Sequence, residues 1–248
     1  MKNKNFIFIA GLHRSGTSLI YQIIRDHPKI SGFKNTGVPE DEGQHLQSVY
    51  PTAKFFGGPG KFAFNSKSYM DETHSLATKK LATKLFEEWS KYLDTSKEYL
   101  LEKSPPNIIR TRFLQKLFPS SKFIVILRHP LAVSYATKKW SDGSISELIE
   151  HYLKAYETFI EKDMKELNSV HIIHYEDFIA NPQDTINKVF DYLKLKPIII
   201  KQEIKQNINE RYFLQWNKEK ELTKIIEIEE IYKKFEVRIN KLGYTLKV

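Results

Sequence analysis

The sequence predicts an α/β domain, a three-layer sandwich in which helices cover both faces of a central parallel sheet. Four short apolar runs, each bounded by polar or turn residues, are typical of buried strands. They lie at residues 6–10, 99–101, 123–127 and 170–174. Longer segments of helical period separate them, and strands that alternate with helices favour a parallel sheet covered on both sides.

The helical segments follow from the spacing of their apolar residues, which places those residues on one face. They lie at residues 19–24, 145–160, 180–195 and 222–242. In the third, Asn181 is the expected N-cap and Pro182 takes the first helical position. The last is amphipathic and is followed by Gly243, a residue type that commonly ends helices.

Residues 32–75 fit neither the strand nor the helix period. A long insertion without regular structure in a compact domain is usually a functional lid or a disordered linker. Five aromatic residues lie between Tyr50 and Phe64, which argues against disorder. We therefore expect a single domain over residues 1–248, with an insertion or lid at residues 32–75.

Composition indicates which ligands the protein favours and which cysteine chemistry it lacks. The net charge of +9 is spread along the chain, which favours anionic ligands in general. Because the charge is not gathered into a basic stripe with interleaved aromatics, we expect no nucleic-acid binding. The absence of cysteine excludes disulfides, thiolate metal sites and a cysteine nucleophile.

No targeting or membrane signal stands out. The N-terminus lacks the apolar stretch of a signal peptide, and no window reaches the roughly 18 apolar residues that a membrane span needs. The sequence therefore predicts a cytoplasmic protein without stable membrane insertion.

The stretch "GLHRSGTS", residues 11–18, has the glycine spacing of a phosphate-binding P-loop, GxxxxGK[ST], with Thr17 in place of the lysine. The backbone N–H groups of such a loop, together with the following helix N-terminus, can hold an oxyanion. Arg14 offers a cation in a fork geometry that suits phosphate or sulfate. The alternative is an ordinary strand-to-helix turn that needs glycine for its backbone conformation.

A magnesium-dependent nucleoside triphosphatase would carry an aspartate at the end of a neighbouring strand. The candidate strand "KFIVILRHP" ends in Arg128, which has the wrong charge for holding a metal. Thr17 replaces the P-loop lysine and Arg128 replaces the strand-end aspartate. Both differences from a magnesium-dependent triphosphatase favour a nucleotide with a second, separate phosphate. A P-loop kinase of nucleotides or small molecules, and a nucleotide-binding module without catalysis, remain as alternatives.

With these motifs in place, the chain resembles the bacterial branch of the sulfotransferases, which have a fold similar to P-loop NTPases and use 3′-phosphoadenosine-5′-phosphosulfate (PAPS). "GLHRSGTSLI" resembles their 5′-phosphosulfate loop, and "FIVILRHPLAVSYATKKW" their 3′-phosphate segment. "LLEKSPPN" and "HYEDFIANPQDTINKVFDYLKL" resemble two further elements of the family. The resemblance covers residues 6–195.

The resemblance implies PAPS as sulfuryl donor, 3′-phosphoadenosine-5′-phosphate (PAP) as product and no required metal. It assigns the 5′-phosphosulfate to the loop residues His13, Arg14, Ser15, Gly16, Thr17 and Ser18. It assigns the 3′-phosphate to Arg128. The family serine that shares this phosphate falls at Ala136 here, so Ser134 or Thr137 takes its place, with Ser134 preferred.

Sulfuryl transfer needs charge stabilisation on the leaving phosphate and a base for the acceptor. Arg14 and Lys103 are the expected cations, with a solvated surface lysine as the alternative for Lys103. "PEDEGQH" supplies the base candidates, Glu42 first, then Glu40 and His45. Taken singly, each of them also fits a solvated loop charge.

The segment 210–219, "ERYFLQWNKE", follows the core, where a loop could close over the adenine with Arg211 and Trp216 stacking there; ordinary packing of these aromatics is the favoured interpretation. The sequence does not reveal the acceptor: a small molecule with a hydroxyl group, a carbohydrate, a lipid and a protein tyrosine all remain open. The aromatic part of the insertion, residues 55–69, is expected to shape the acceptor side.

Overall fold

A five-stranded parallel sheet forms the centre of the structure, a computed structural model that describes residues 5–222 and 225–248. The strands are β1 (Asn5–Ala10), β2 (Ile30–Gly32), β3 (Tyr99–Lys103), β4 (Lys122–Leu127) and β5 (Val170–His174). Their order across the sheet is β2-β3-β1-β4-β5, and each neighbouring pair is parallel. The central parallel sheet predicted from the sequence is confirmed.

Helices connect the strands and cover the sheet. They are α1 (Thr17–Arg25), α2 (Lys79–Ser90), α3 (Thr111–Leu117), α4 (Pro130–Thr137), α5 (Ile145–Glu157), α6 (Tyr175–Ala180), α7 (Pro182–Leu193), α8 (Glu210–Leu222) and α9 (Ile225–Asn240). The segment between β2 and α2 contains five short 3-10 helices, and a π-helical turn, Thr158–Asp163, continues α5.

The alternation of side chains along β1 divides the core between the two faces of the sheet. Ile7 and Ile9 point to the face that α1, α6 and α7 cover. Phe6 and Phe8 point to the other face, where Trp89 of α2 and Phe113 of α3 pack against them. Further along that second face, a third group of buried residues joins the sheet to α4, α5, α8 and α9. Helices on both faces confirm the three-layer arrangement.

The structure adds one strand to the sequence prediction and extends another by two residues. β2 was not predicted, because three residues are too few to show a period. The prediction also ended the next strand at residue 101, whereas β3 continues through Glu102 and Lys103. These two charged residues are almost completely buried, so polarity was a poor guide to where the strand ends.

The helical predictions need two corrections. Asn181 stands at the predicted N-cap of α7, but its side chain makes no capping hydrogen bond. Residues 210–219, predicted as a loop over the adenine, belong to helix α8. Part of the predicted helix 222–242 lies outside the described residues, and α9 ends at Asn240, before Gly243 with its positive φ of 83°. Among the described residues, no helix is long and apolar enough to cross a membrane.

Candidate active site

The carboxyl ends of β1, β3 and β4 meet at one edge of the sheet. β1 lies between the other two, and the chain first crosses to the β3 side and later to the β4 side. Ligands of open parallel sheets bind at such a switch point, beyond the carboxyl ends of the strands. This topology brings the loop after β1 together with Lys103 at the end of β3 and Arg128 after β4.

The loop after β1 has the backbone geometry of an anion cradle. Arg14 and Gly16 both have left-handed φ values, 69° and 97°, and alternation of this kind turns successive N–H groups to one side. A Cβ on Gly16 would lie 2.5 Å from the ring of Tyr175, so only glycine fits there. Helix α1 begins at Thr17 without a side-chain cap and without an acidic residue in its first turn. Its unpaired N–H groups and positive dipole end therefore favour an anion.

Internal hydrogen bonds hold the loop in this shape. The backbone N–H and the hydroxyl of Ser15 both donate to the carbonyl of Leu12, over 3.1 and 2.6 Å. Tyr156 Oη accepts from the N–H of Leu12 at 3.2 Å and donates to the carbonyl of Ile126. The predicted ligand Ser15 thus shapes the loop through both of its donors. Ser18, also predicted, donates its hydroxyl to Glu40 at 3.1 Å.

Two arginines flank the loop in different ways. Arg14 is exposed, and its guanidinium lies 4.7 Å above the ring of Trp140. Arg128 is only 6% exposed, and its guanidinium lies 4.4 Å above the ring of Tyr175. Arg128 donates one hydrogen bond of 2.7 Å to the carbonyl of Arg14, which ties it to the loop.

Asn209 is a partner of Arg128 that the sequence did not indicate. Its Oδ1 accepts from Nε and Nη2 of Arg128 at 2.9 and 2.7 Å. Its Nδ2 donates to Glu176, which also accepts from Tyr244 Oη. All three hydrogen bonds that Arg128 makes here go to uncharged acceptors, and burial lowers the pKa of this guanidinium. A buried cation with neutral partners favours binding of an anion.

Lys103 and Glu42 form a buried ion pair beside the loop. Lys103 is 1% exposed, which rules out the solvated-lysine alternative. Its Nζ donates to Glu42 Oε1 and to the carbonyl of Glu40, each at 3.1 Å. The other oxygen of Glu42 accepts from Gln44 Nε2 at 2.5 Å, and His45 Nε2 lies 3.8 Å from it. The structure therefore brings the predicted base candidates and Lys103 into one cluster.

Glu102, which the sequence analysis missed, holds the turn that carries Glu42. Its Oε1 accepts from the N–H of Gly43 at 3.1 Å and from Ser104 Oγ at 2.5 Å. Its Oε2 accepts from Asn107 Nδ2 at 2.5 Å. Burial raises the pKa of this carboxyl to about 7. A glutamate inside the apolar run "YLLEK" was the available signal.

Ser134 and Thr137 lie one helical turn apart on α4, and both line a small cavity with His13 and His151. Ser134 is buried and makes no hydrogen bond to Arg128. At the start of α8, Arg211 is exposed and donates to Tyr212 Oη at 2.5 Å. Trp216 is 1% exposed and donates to the carbonyl of Leu246 at 3.2 Å, so its role is packing.

The sequence model of the "Sulfotransferase family" matches residues 6–197, which span both flanks of this site. The chain belongs to the sulfotransferase family. Protein-tyrosine sulfotransferase 1 of Danio rerio is 22% identical over 204 residues, which cover 78% of this chain and 54% of that protein. The sulfotransferase chain thus spans about half the length of the curated relatives that it matches.

Solved sulfotransferases share the fold. The sulfotransferase from Alicyclobacillus acidocaldarius has a TM-score of 0.52 and 14% identity over 98% of this chain and 96% of that one. The sulfotransferase domain from the curacin biosynthetic pathway has a TM-score of 0.50 and 19% identity, covering 79% and 75%. The family match favours sulfuryl transfer over the kinase alternative, in agreement with Thr17 at the usual lysine position and Arg128 at the strand end.

Proposed function

We propose that this sulfotransferase moves the sulfuryl group of PAPS to a hydroxyl or amine of an acceptor, releasing PAP. The observation that carries the proposal is the uncapped start of α1 with Arg128 hydrogen-bonded to the same loop. One cradle of N–H groups and one buried guanidinium, held together, match a ligand with two separate phosphates.

Each end of the donor has its own group of residues. The N–H groups of the loop and of the first turn of α1, with the side chain of Arg14, would hold the 5′-phosphosulfate. Arg128 would hold the 3′-phosphate: a guanidinium has five N–H donors, and three of those on Arg128 are used here. Two donors remain for phosphate oxygens. Arg211, exposed two residues after Asn209, would add positive charge to the same end.

In the transfer step, an acceptor oxygen or nitrogen attacks sulfur, and the bond between sulfur and the bridging phosphate oxygen breaks. The electron pair of that bond stays on the phosphate, where Arg14, Lys103 and the loop N–H groups would stabilise the growing charge. The acceptor proton would pass to the carboxylate of Glu42, whose ion pair with Lys103 places base and cation side by side. Glu40 and His45 are the second candidates for the base.

Its fixed orientation favours Glu42 over Glu40 as the base. Both of its oxygens are fixed, one by Lys103 and one by Gln44. Glu40 is exposed and its carboxylate accepts from Ser18. A base held in one orientation loses less free energy when it meets the acceptor than a mobile one.

A thermal-shift comparison of PAP with magnesium ATP tests the donor assignment. A ligand at a hundred times its dissociation constant stabilises the folded state by about 2.7 kcal/mol, which raises Tm by roughly 5–10 °C. We expect this shift with PAP alone. A shift with magnesium ATP alone would refute the donor assignment and support a kinase.

A further inference from the structure

Three residues that each carry an unpaired buried polar atom line one small cavity beside the loop. His13 Nδ1, Ser134 Oγ and His151 Nε2 are inaccessible to solvent and make no hydrogen bond to any described residue. All three residues line the same cavity, together with Gly60 and Thr137. Ser134 and His151 are 1% and 3% exposed, respectively. Unpaired buried polar atoms are rare, and three at one place indicate a group that pairs with them.

The polar side chains that line the cavity are uncharged, and Leu12, Val133 and Leu148 complete its lining. Burial lowers the pKa of both His13 and His151 to about 3, so both imidazoles are neutral near pH 7. A neutral imidazole offers one donor and one acceptor nitrogen, and a serine hydroxyl offers both functions. The cavity has a volume of about 10 Å³, which is close to the least space that a single hydroxyl or water oxygen needs.

A larger cleft adjoins the cavity. It has a volume of about 520 Å³, and Gly60 lines both spaces. The residues around it come from the insertion and from the stretch between α4 and α5: Phe56, Gly57, Gly60, Lys61, Phe64, Asn65, Asp142, Gly143 and Glu147. A cleft of this size encloses a small organic molecule, and its two phenylalanines offer apolar contact to a ring.

The charged groups of this cleft already have partners. Lys61 Nζ lies 2.5 Å from Asp142 Oδ1. Glu147 accepts from the backbone N–H of Ser144 at 2.6 Å, as part of the cap of α5. A charged ligand would therefore lose hydration without gaining a free counter-charge.

We propose that the cleft binds the body of an uncharged acceptor and that the cavity binds one hydroxyl group of that acceptor. This inference rests on the proposed function, because it places the acceptor next to a donor held by the loop that contains His13. A hydroxyl group can both donate to and accept from His13, Ser134 and His151. A carboxylate or an ammonium group would bury its charge among neutral partners.

Three probes with one ring body test the proposal: naphthol, naphthoate and naphthylmethylamine, titrated calorimetrically into protein saturated with PAP. We expect naphthol to bind at least about tenfold more tightly than either charged analogue, the size of effect that an unpaired buried charge or hydrogen-bonding group produces. Equal binding of the three, tighter binding of a charged analogue, or no binding of naphthol would overturn the proposal.

Single variants connect the binding to the named residues. Ser134→Ala and Phe64→Ala should each weaken naphthol binding by about fivefold or more, while Val237→Ala, an exposed apolar residue on α9, should not. Phe64→Ala and Val237→Ala should leave PAP affinity unchanged. Weaker PAP binding by Ser134→Ala with unchanged naphthol binding would return Ser134 to the 3′-phosphate and overturn the cavity assignment. If the wild-type protein did not bind PAP, that result would instead refute the proposed function itself.

Discussion

Replacing Glu102 by glutamine removes a buried charge without changing the shape of the side chain. Glu102 is 0% exposed and accepts hydrogen bonds from Gly43, Ser104 and Asn107. Burial is the largest influence on its carboxyl and raises the pKa from 4.5 to about 7. The folded state therefore retains a proton over a pH range in which the unfolded chain has released it.

The sign and size of the effect follow from this difference. Between the unfolded pKa of 4.5 and the folded pKa of about 7, the folded state binds more protons, so the free energy of unfolding falls as pH rises. The total loss for wild type is about 3 kcal/mol, most of it between roughly pH 5 and pH 8. Glu102→Gln has no titrating carboxyl at this position. Its free energy of unfolding should therefore rise by about 2–3 kcal/mol relative to that of wild type over that pH interval.

Urea denaturation at a series of pH values measures this gain directly. Glu88→Gln is the matched control, because Glu88 also accepts from a backbone N–H and a hydroxyl, both of Ser48, but is partly exposed and lies outside the site. The control should follow wild type within about 0.5 kcal/mol across the series. A stability difference between Glu102→Gln and wild type that does not change with pH would refute the buried-charge account of Glu102.

Three further outcomes are expected. Glu42→Gln should keep PAP affinity while turnover of PAPS falls by at least about a hundredfold, measured as PAP release; full activity would move the base to Glu40 or His45. Arg14→Ala should weaken PAP binding by about a kcal/mol or more in calorimetry, and unchanged affinity would remove it from the donor site. Burial lowers the pKa of His151 from 6.5 to about 3, so wild type should lose stability as pH falls below 6.5. In acid denaturation, His151→Phe should lose less stability over that range, and an identical loss would contradict a buried neutral imidazole.

Among the described residues, four of the five strands and the helices α1, α5, α7 and α9 could be predicted from periodicity, whereas α2, α3, α4 and α6 were not. Runs such as residues 6–10 and 123–127 are apolar at nearly every position because both faces of the sheet are covered. β2 was missed because it has three residues, and its place at the sheet edge is set by pairing with β3, a long-range contact. The helix α8 was missed because its pattern is only weakly amphipathic, so its apolar residues do not mark one helical face.

The site was predictable where chemistry is local and unpredictable where it depends on packing. The loop at residues 11–18 has a glycine spacing that fixes its conformation, so the sequence was enough to find it. Asn209 meets Arg128 across 81 residues of chain, and no local pattern signals such a contact. His151 meets the loop through the packing of α5, so its unpaired nitrogen is visible only in the folded structure.

Calorimetry with two ligands and two proteins tests most directly whether one site holds two separate phosphates of the donor. AMP lacks the 3′-phosphate that PAP carries. Wild type should bind PAP at least about tenfold more tightly than AMP, and in Arg128→Ala this advantage should shrink to about twofold or less. The same PAP advantage in both proteins would contradict the assignment of the 3′-phosphate to Arg128 and, with it, the donor site described here.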